Sequence, residues 1–181
     1  MKIVAIDFET ATTRPDSACA LSLVTIQNGK LVGQKTFLIR PPRQAFRWTG
    51  LHGISWEDVK SSPPFADLVP KINRIIRGAD YIAAHNAGFD RKVMYTCYGA
   101  SGHQPPGTPF ICTRKIAKRV WKMPQNSLDV VCKRLRIPLV HHDPVSDANG
   151  CARILLASMK KNFPMENGKV GKPSYSVNIR R

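Results

Sequence analysis

The sequence predicts an α/β fold in which a mixed central β-sheet is flanked by α-helices. Three strand-like runs come first, before any helical periodicity, and from about residue 65 onward short apolar runs alternate with segments of helical spacing. A hydrophobic content of 43% over 181 residues, with no long apolar run, suits one domain with a proper core.

Residues 3–7, Ile3-Val4-Ala5-Ile6-Asp7, read as a buried strand. Leu21 to Ile26 and Leu31 to Ile39 read as an antiparallel hairpin, because Asn28-Gly29 supplies the positive φ angles that a tight turn needs. Pro41-Pro42 ends the third strand, and an irregular stretch with Trp48, His52, Gly53 and Trp56 runs to Pro63-Pro64. Leu68, Val69, Ile72, Ile75 and Ile76 recur at helical spacing, so a helix is expected from near Phe65 to Gly78. Tyr81–Ala84 is the next buried strand, followed by a helix from about Gly88 to Tyr98. After a Gly/Pro-rich loop, Phe110–Cys112 forms a short strand and Thr113 caps a helix from Arg114 to Trp121. Helices at Ser127–Leu135 and Ser146–Met159, the latter capped by Ser146, complete the set. The domain is expected to occupy residues 1–161, leaving 162–181 as a basic, extended or mobile C-terminal tail.

Twenty-eight Lys and Arg against 12 Asp and Glu give a formal charge of +16, a field that attracts a polyanion. Nucleic acid is the expected partner, since no amphipathic helix with a large apolar face argues for a membrane. No segment is long and apolar enough to span a bilayer, and the start lacks the apolar core and cleavage site of a signal peptide, so a cytoplasmic location is expected. The five cysteines are scattered and never form C-x-x-C, which argues against a disulfide framework or a zinc site and for small buried hydrophobes.

The chemistry begins at Asp7-Phe8-Glu9. Side chains two apart on a strand share a face, so Asp7 and Glu9 stand together while Val4, Ile6 and Phe8 point the other way. Two like charges this close oppose each other's ionisation unless a positive group sits between them: a divalent cation held by oxygen ligands would supply it, and a solvent-facing strand end is the alternative. Asp90 falls in the first turn of a helix just beyond a strand's carboxyl end, and Asp147 follows Ser146 at another helix start. His142 stands five residues before Asp147. Singly, each has an ordinary structural role at a helix start or in a polar loop. Together, four carboxylates and a histidine at element ends make a hard-metal site with a base. Lys115, Lys118, Arg119 and Lys122 recur at i, i+3, i+4 and i+7, a basic stripe suited to a phosphate track.

In order and spacing, D-F-E-T at Asp7–Thr10, H-N-A-x-F-D at His85–Asp90 and H-x-x-x-x-D at His142–Asp147 resemble the DEDDh exonucleases, in particular the branch of the bacterial DNA polymerase III epsilon subunit. Ser17-Ala18-Cys19, Leu51-His52-Gly53-Ile54, Ile111-Cys112-Thr113 and Leu135-Arg136-Ile137-Pro138 add to the likeness, which covers residues 3 to about 159. The resemblance implies a ribonuclease-H-like fold, two Mg2+ or Mn2+ ions, and hydrolysis from the 3′ end of a single-stranded nucleic acid, DNA favoured. By that match Asp7, Glu9 and Asp147 hold one cation, Asp7 and Asp90 serve the second, and His142 is the general base, a spacing that His141 lacks. Thr10, Leu51, His52 and Phe89 match positions that touch the terminal nucleotide. A polymerase or repair partner is also implied. Proline at Pro144, where many relatives carry a small residue, would stiffen the chain beside His142. Two other functions fit the same residues: an exoribonuclease, and a non-catalytic nucleic-acid-binding or polymerase-accessory module.

Overall fold

The computed structural model describes residues 1–171. Strands β1 (Lys2–Thr10), β2 (Ala18–Gln27), β3 (Lys30–Leu38), β4 (Tyr81–Ala84) and β5 (Phe110–Cys112) form one sheet in the order β3-β2-β1-β4-β5. β2 pairs antiparallel with β1 and β3, whereas β4 runs parallel to both β1 and β5. The helices are α1 (Thr49–His52), α2 (Trp56–Val59), α3 (Phe65–Ile76), α4 (Ala87–Ala100), α5 (Thr113–Trp121), α6 (Leu128–Leu135) and α7 (Pro144–Met159). This is the expected mixed sheet between helical layers. Among the described residues no helix is long and apolar enough to cross a membrane.

Alternation along β1 sorts the core into two layers. Val4, Ile6 and Phe8 pack with Phe65, Leu68 and Ile72 of α3 and with Met94 and Tyr98 of α4. Ile3 and Ala5 face the other way, against Ala148, Cys151, Ala152 and Leu155 of α7 and Ile116 of α5. The small α7 residues let that helix lie close over the centre of the sheet. All five cysteines are free and buried, as expected.

Several boundaries differ from the expected ones. β1 continues through Asp7 and Glu9 to Thr10 because β2 pairs with it along its length, with an irregularity between Glu9 and Thr10. α7 begins at Pro144 and not at Ser146: Asp143 is the cap, accepting the Ser146 N–H at 2.7 Å, and proline suits a first helical position that needs no N–H donor. Thr113 is the first residue of α5, preceded by Cys112, and its hydroxyl lies 2.9 Å from His85 Nδ1.

The chain does not leave the domain at Asn162. Met165–Gly168 forms a 3₁₀ turn with Met165 buried, Lys169 bridges antiparallel to Ile111, and the Val170 N–H donates to the Phe110 carbonyl at 2.8 Å. Residues 162–171 thus cover the outer edge of β5, a place sequence periodicity gives no sign of. The rest of the expected tail lies outside the described residues.

A Cβ at Gly168 would come within 2.8 Å of both Cγ1 and Cδ1 of the fully buried Ile116. Gly168→Ala is therefore expected to cost about 1–3 kcal/mol by overpacking, read as a lower Tm. An unchanged Tm would show that Ile116 makes room for the added methyl without cost.

Candidate active site

β1 outruns its parallel neighbour. Its pairing with β4 runs from Ile3 to Ala5, and β4 ends at Ala84, so the far half of β1 has no strand on that side. Asn86, in the left-handed region at φ 80°, turns the chain directly from β4 into α4 and brings Asp90 alongside. The buried Asp90 Oδ1 accepts the Phe8 N–H at 3.1 Å, between Asp7 and Glu9 in sequence. A side chain thus takes the place of the missing strand.

Asp147 arrives from the other layer. It is buried in the first turn of α7, which packs across β1. Its Oδ2 lies 3.1 Å from His141 Nδ1 and accepts the His142 N–H at 3.1 Å. Carboxylate oxygens of Asp7, Glu9 and Asp147 lie within 4.8 Å of one another, as do ligand atoms of His141, His142 and Asp147. Asp7, Glu9, His142 and Asp147 are thus brought together, with His141 among them, and Asp90 stands beside them on the Phe8 N–H.

The electrostatic cost is concentrated here. Burial, then the charges of Asp90 and Glu9, push Asp7 well above the usual carboxylate range. Burial and the Asp147 and Asp90 charges raise Glu9 to about 8. Burial lifts Asp90 to about 7 against the opposing Phe8 N–H, and burial raises Asp147 despite its histidine neighbours. Asp7 Oδ2 is buried with no hydrogen-bond partner. An orphaned carboxylate oxygen among mutually repelling carboxylates is what a divalent cation satisfies, so these residues fit the metal site that the sequence implies.

A cavity of about 300 Å³ joins Asp7, Glu9, Asp147 and both histidines to a wall that sequence reasoning missed, made by His85, Arg114 and Ser127. His85 Nε2 lies 2.9 Å from the Asn126 carbonyl, and Arg114 Nε donates to Asn126 Oδ1 at 2.7 Å. Burial holds His85 down at about 4, so it faces the carboxylates as a neutral ring. Arg114 is one residue before the predicted stripe, and only its position at the start of α5 distinguishes it. Lys115, Lys118 and Arg119 are exposed on α5 but do not line this cavity, and Arg119 donates to the Asn167 carbonyl.

A second cavity, of about 470 Å³, shares Glu9 with the first and is lined by Thr10, Leu51, His52 and Phe89 together with Trp48. Leu51 and Phe89 are 51% and 44% exposed, which marks Phe89 as a surface aromatic and not a core one. His52 accepts the Ile54 N–H at Nδ1 and lies 3.2 Å from the Thr10 carbonyl through Nε2, which pins α1 to the end of β1.

With this geometry the comparisons agree. The RNase T exonuclease model matches residues 4–155, and the chain belongs to this exonuclease family. DNA polymerase III subunit epsilon of Salmonella typhimurium is 31% identical over 149 residues, 76% of this chain and 60% of that protein. The PolC-type DNA polymerase III of Thermotoga petrophila is 30% identical over 157 residues, 84% of this chain. The chain spans 11% to 60% of the length of these curated relatives. Exonuclease X in complex with 5′ overhanging duplex DNA superposes with a TM-score of 0.76 and 25% identity, covering 92% of this chain and 96% of that one. The nuclease domain of 3′hExo, a DEDDh family member, has the same fold, with a TM-score of 0.80 at 18% identity over 95% of this chain and 97% of that one. The resemblance to the DEDDh exonucleases and the ribonuclease-H-like fold are both borne out.

The raised carboxylates set a direction. Glu9 holds its proton more tightly folded, at about 8, than at its ordinary 4.5, so its contribution to stability is complete below 4.5 and lost as pH rises through 8. Melts in chelator are expected to fall in Tm from about pH 5 to 8.5, and to fall less in Asp7→Asn. Millimolar Mn2+ at pH 8 should raise the wild-type Tm and leave the variant's unmoved. A wild-type Tm indifferent to metal would argue against the site.

Proposed function

We propose that the protein is a metal-dependent 3′-to-5′ exonuclease that releases nucleoside monophosphates from single-stranded ends, with DNA as the favoured strand. The observation that carries this reading is the orphaned, buried Asp7 Oδ2 within a cluster of carboxylates pushed up by burial and by one another. Asp7, Glu9 and Asp147 would hold one Mg2+ or Mn2+, and Asp7 with Asp90 would serve a second. When bound, such cations acidify water and neutralise charge on the attacking and leaving oxygens.

The chain's own residues do the rest. His142 is the general base, its imidazole taking the proton of the attacking water. His141 is a positioning residue: its ring stacks on His142 with centroids 3.9 Å apart while Nδ1 reaches Asp147. Thr10, Leu51 and His52 cradle the terminal nucleoside in the second cavity, and Phe89 stacks on its base, a contact that tolerates any sequence. Arg114 meets the phosphate at the wall of the first cavity. Lys115 and Lys118 draw the strand in along α5. Likeness to the epsilon subunit supports a polymerase or repair partner and a cytoplasmic place of work.

The deciding assay offers 3′-labelled and 5′-labelled single-stranded DNA and RNA with Mg2+, with Mn2+ and with chelator. Mononucleotide released first from the 3′ label, and abolished by chelator and by Asp7→Asn, is the expected result. No metal-dependent cleavage of any strand would return the protein to the class of binding modules, and faster cleavage of RNA to the exoribonucleases.

His142→Ala is expected to lower kcat by about a hundredfold to ten-thousandfold with strand affinity kept. His141→Ala should lose less; the reverse order would exchange the two roles. Lys115→Ala with Lys118→Ala should weaken binding and flatten its salt dependence by about 0.7 for each phosphate left without its lysine, with kcat in place. An unaltered slope would remove the α5 stripe from the strand's path.

A further inference from the structure

A third cavity continues the row formed by the first two. It holds about 200 Å³ and shares Thr12 and Thr13 with the nucleoside cavity, which in turn shares Glu9 with the carboxylate cavity. Its remaining walls are Ser17, Ala45 and three arginines, Arg14, Arg43 and Arg47. From the carboxylates outward the order is thus acidic, apolar, basic.

The basic end is held in shape. The Thr12 N–H and hydroxyl both reach Ser17 Oγ at 3.1 Å, and the Arg14 N–H donates to Thr12 Oγ1 at 3.2 Å, closing the turn between β1 and β2. The Arg47 N–H donates to the Ala11 carbonyl at 2.7 Å, while Phe46 packs with Ala11, Cys19 and Val59 beneath the loop. Asp16 pairs with Arg14 at 3.5 Å and with Arg43 at the surface, and Arg47 has no ion pair among the described residues. One carboxylate is thus set against three guanidinium groups, and the excess positive charge borders a cavity of about 200 Å³, ample for a phosphate group.

We propose that this cavity is a phosphate subsite one nucleoside beyond the carboxylates. The inference rests on the nuclease reading for its direction. With the scissile phosphate at Asp7 and the terminal nucleoside in the middle cavity, a plain 3′-hydroxyl strand has no phosphate left to offer. An anion in the third cavity comes from one of two sources, a 3′ phosphate on the same strand or the backbone of a strand paired with it. The subsite therefore selects which kinds of 3′ end are held.

The test compares Arg47→Ala and Arg43→Ala/Arg47→Ala with the parent, all on an Asp7→Asn background that keeps strands intact. The ligands are one DNA strand ending in a 3′ hydroxyl, the same strand ending in a 3′ phosphate, and a duplex in which that strand is recessed at its 3′ end. Tenfold or greater loss of affinity is expected for at least one phosphate-bearing end, with less than twofold loss for the plain strand; the end that loses identifies the source. Equal loss on all three ligands, or loss on none, overturns the proposal. Arg47→Lys should recover part of the affinity, which a merely unfolded loop would not allow.

Inorganic phosphate separates this from failure of the nuclease reading. Without metal, its 31P line should broaden with the protein carrying native arginines and stay sharp with the double variant, whether or not any strand is cleaved. A line that stays sharp with both proteins overturns the subsite and leaves the nuclease reading standing.

Discussion

The site depends on one bond, from the Phe8 N–H to Asp90 Oδ1. β1 must extend past β4 for Asp7 and Glu9 to reach open space, and extending leaves its N–H groups without a strand on that side. A buried N–H left unmade costs about as much as a lost hydrogen bond, so a partner has to be supplied. Asp90 supplies it with a carboxylate, which is the partner electrostatics should avoid beside Asp7. The backbone is satisfied, and the negative charge that repels is moved into the place where a cation would bind. Strain at the site and satisfaction of the backbone are the same interaction.

Around this acidic centre the protein is strongly basic, and the two signs are kept apart by what lines the cavity. His85 is held neutral by burial, with both ring nitrogens engaged by Thr113 and the Asn126 carbonyl. A cationic ring there would compete with a metal for the carboxylates. The Arg114 guanidinium, by contrast, is tied to Asn126, beside the carboxylates and without an ion pair among the described residues. The wall thus offers positive charge to a phosphate without neutralising the ligands a metal needs.

Much of the site was legible because it obeys local periods. The two-residue period of a strand puts Asp7 beside Glu9, the β4-to-α4 boundary puts Asp90 at a helix start, and the capping residues before α7 do the same for Asp147. What escaped notice depends on contacts distant in sequence. His85 and Arg114 meet only because parallel β4 and β5 bring their carboxyl ends together. An aromatic such as Phe89 can as well pack in a core, and only its exposure assigns it to the cavity wall. Residues 162–171 carry Pro164, Gly168 and Gly171, which suggest a free tail, yet Gly168 is what permits the chain to lie against Ile116. The α7 cap was misplaced because Ser146 and Asp143 are both good caps, and only Pro144 between them decides for the earlier one.

Pro144 also bears on the histidine loop, though differently from the expectation that it stiffens His142 directly. It sits at the start of α7 and helps fix the helix whose first turn anchors the loop: the Val140 N–H donates to Ser146 Oγ at 2.7 Å and the His142 N–H to Asp147 Oδ2. His142 itself is in the left-handed region at φ 66°, which costs a non-glycine residue about 1–2 kcal/mol. That conformation persists because Asp147 accepts its N–H, and the same carboxylate belongs to the Asp7–Glu9–Asp147 cluster. Asp147 therefore has to serve the loop and the cluster at once, so whatever draws its oxygens toward Asp7 and Glu9 also loosens the grip on His142. The position of the proposed base and the filling of the carboxylate site are coupled through a single side chain.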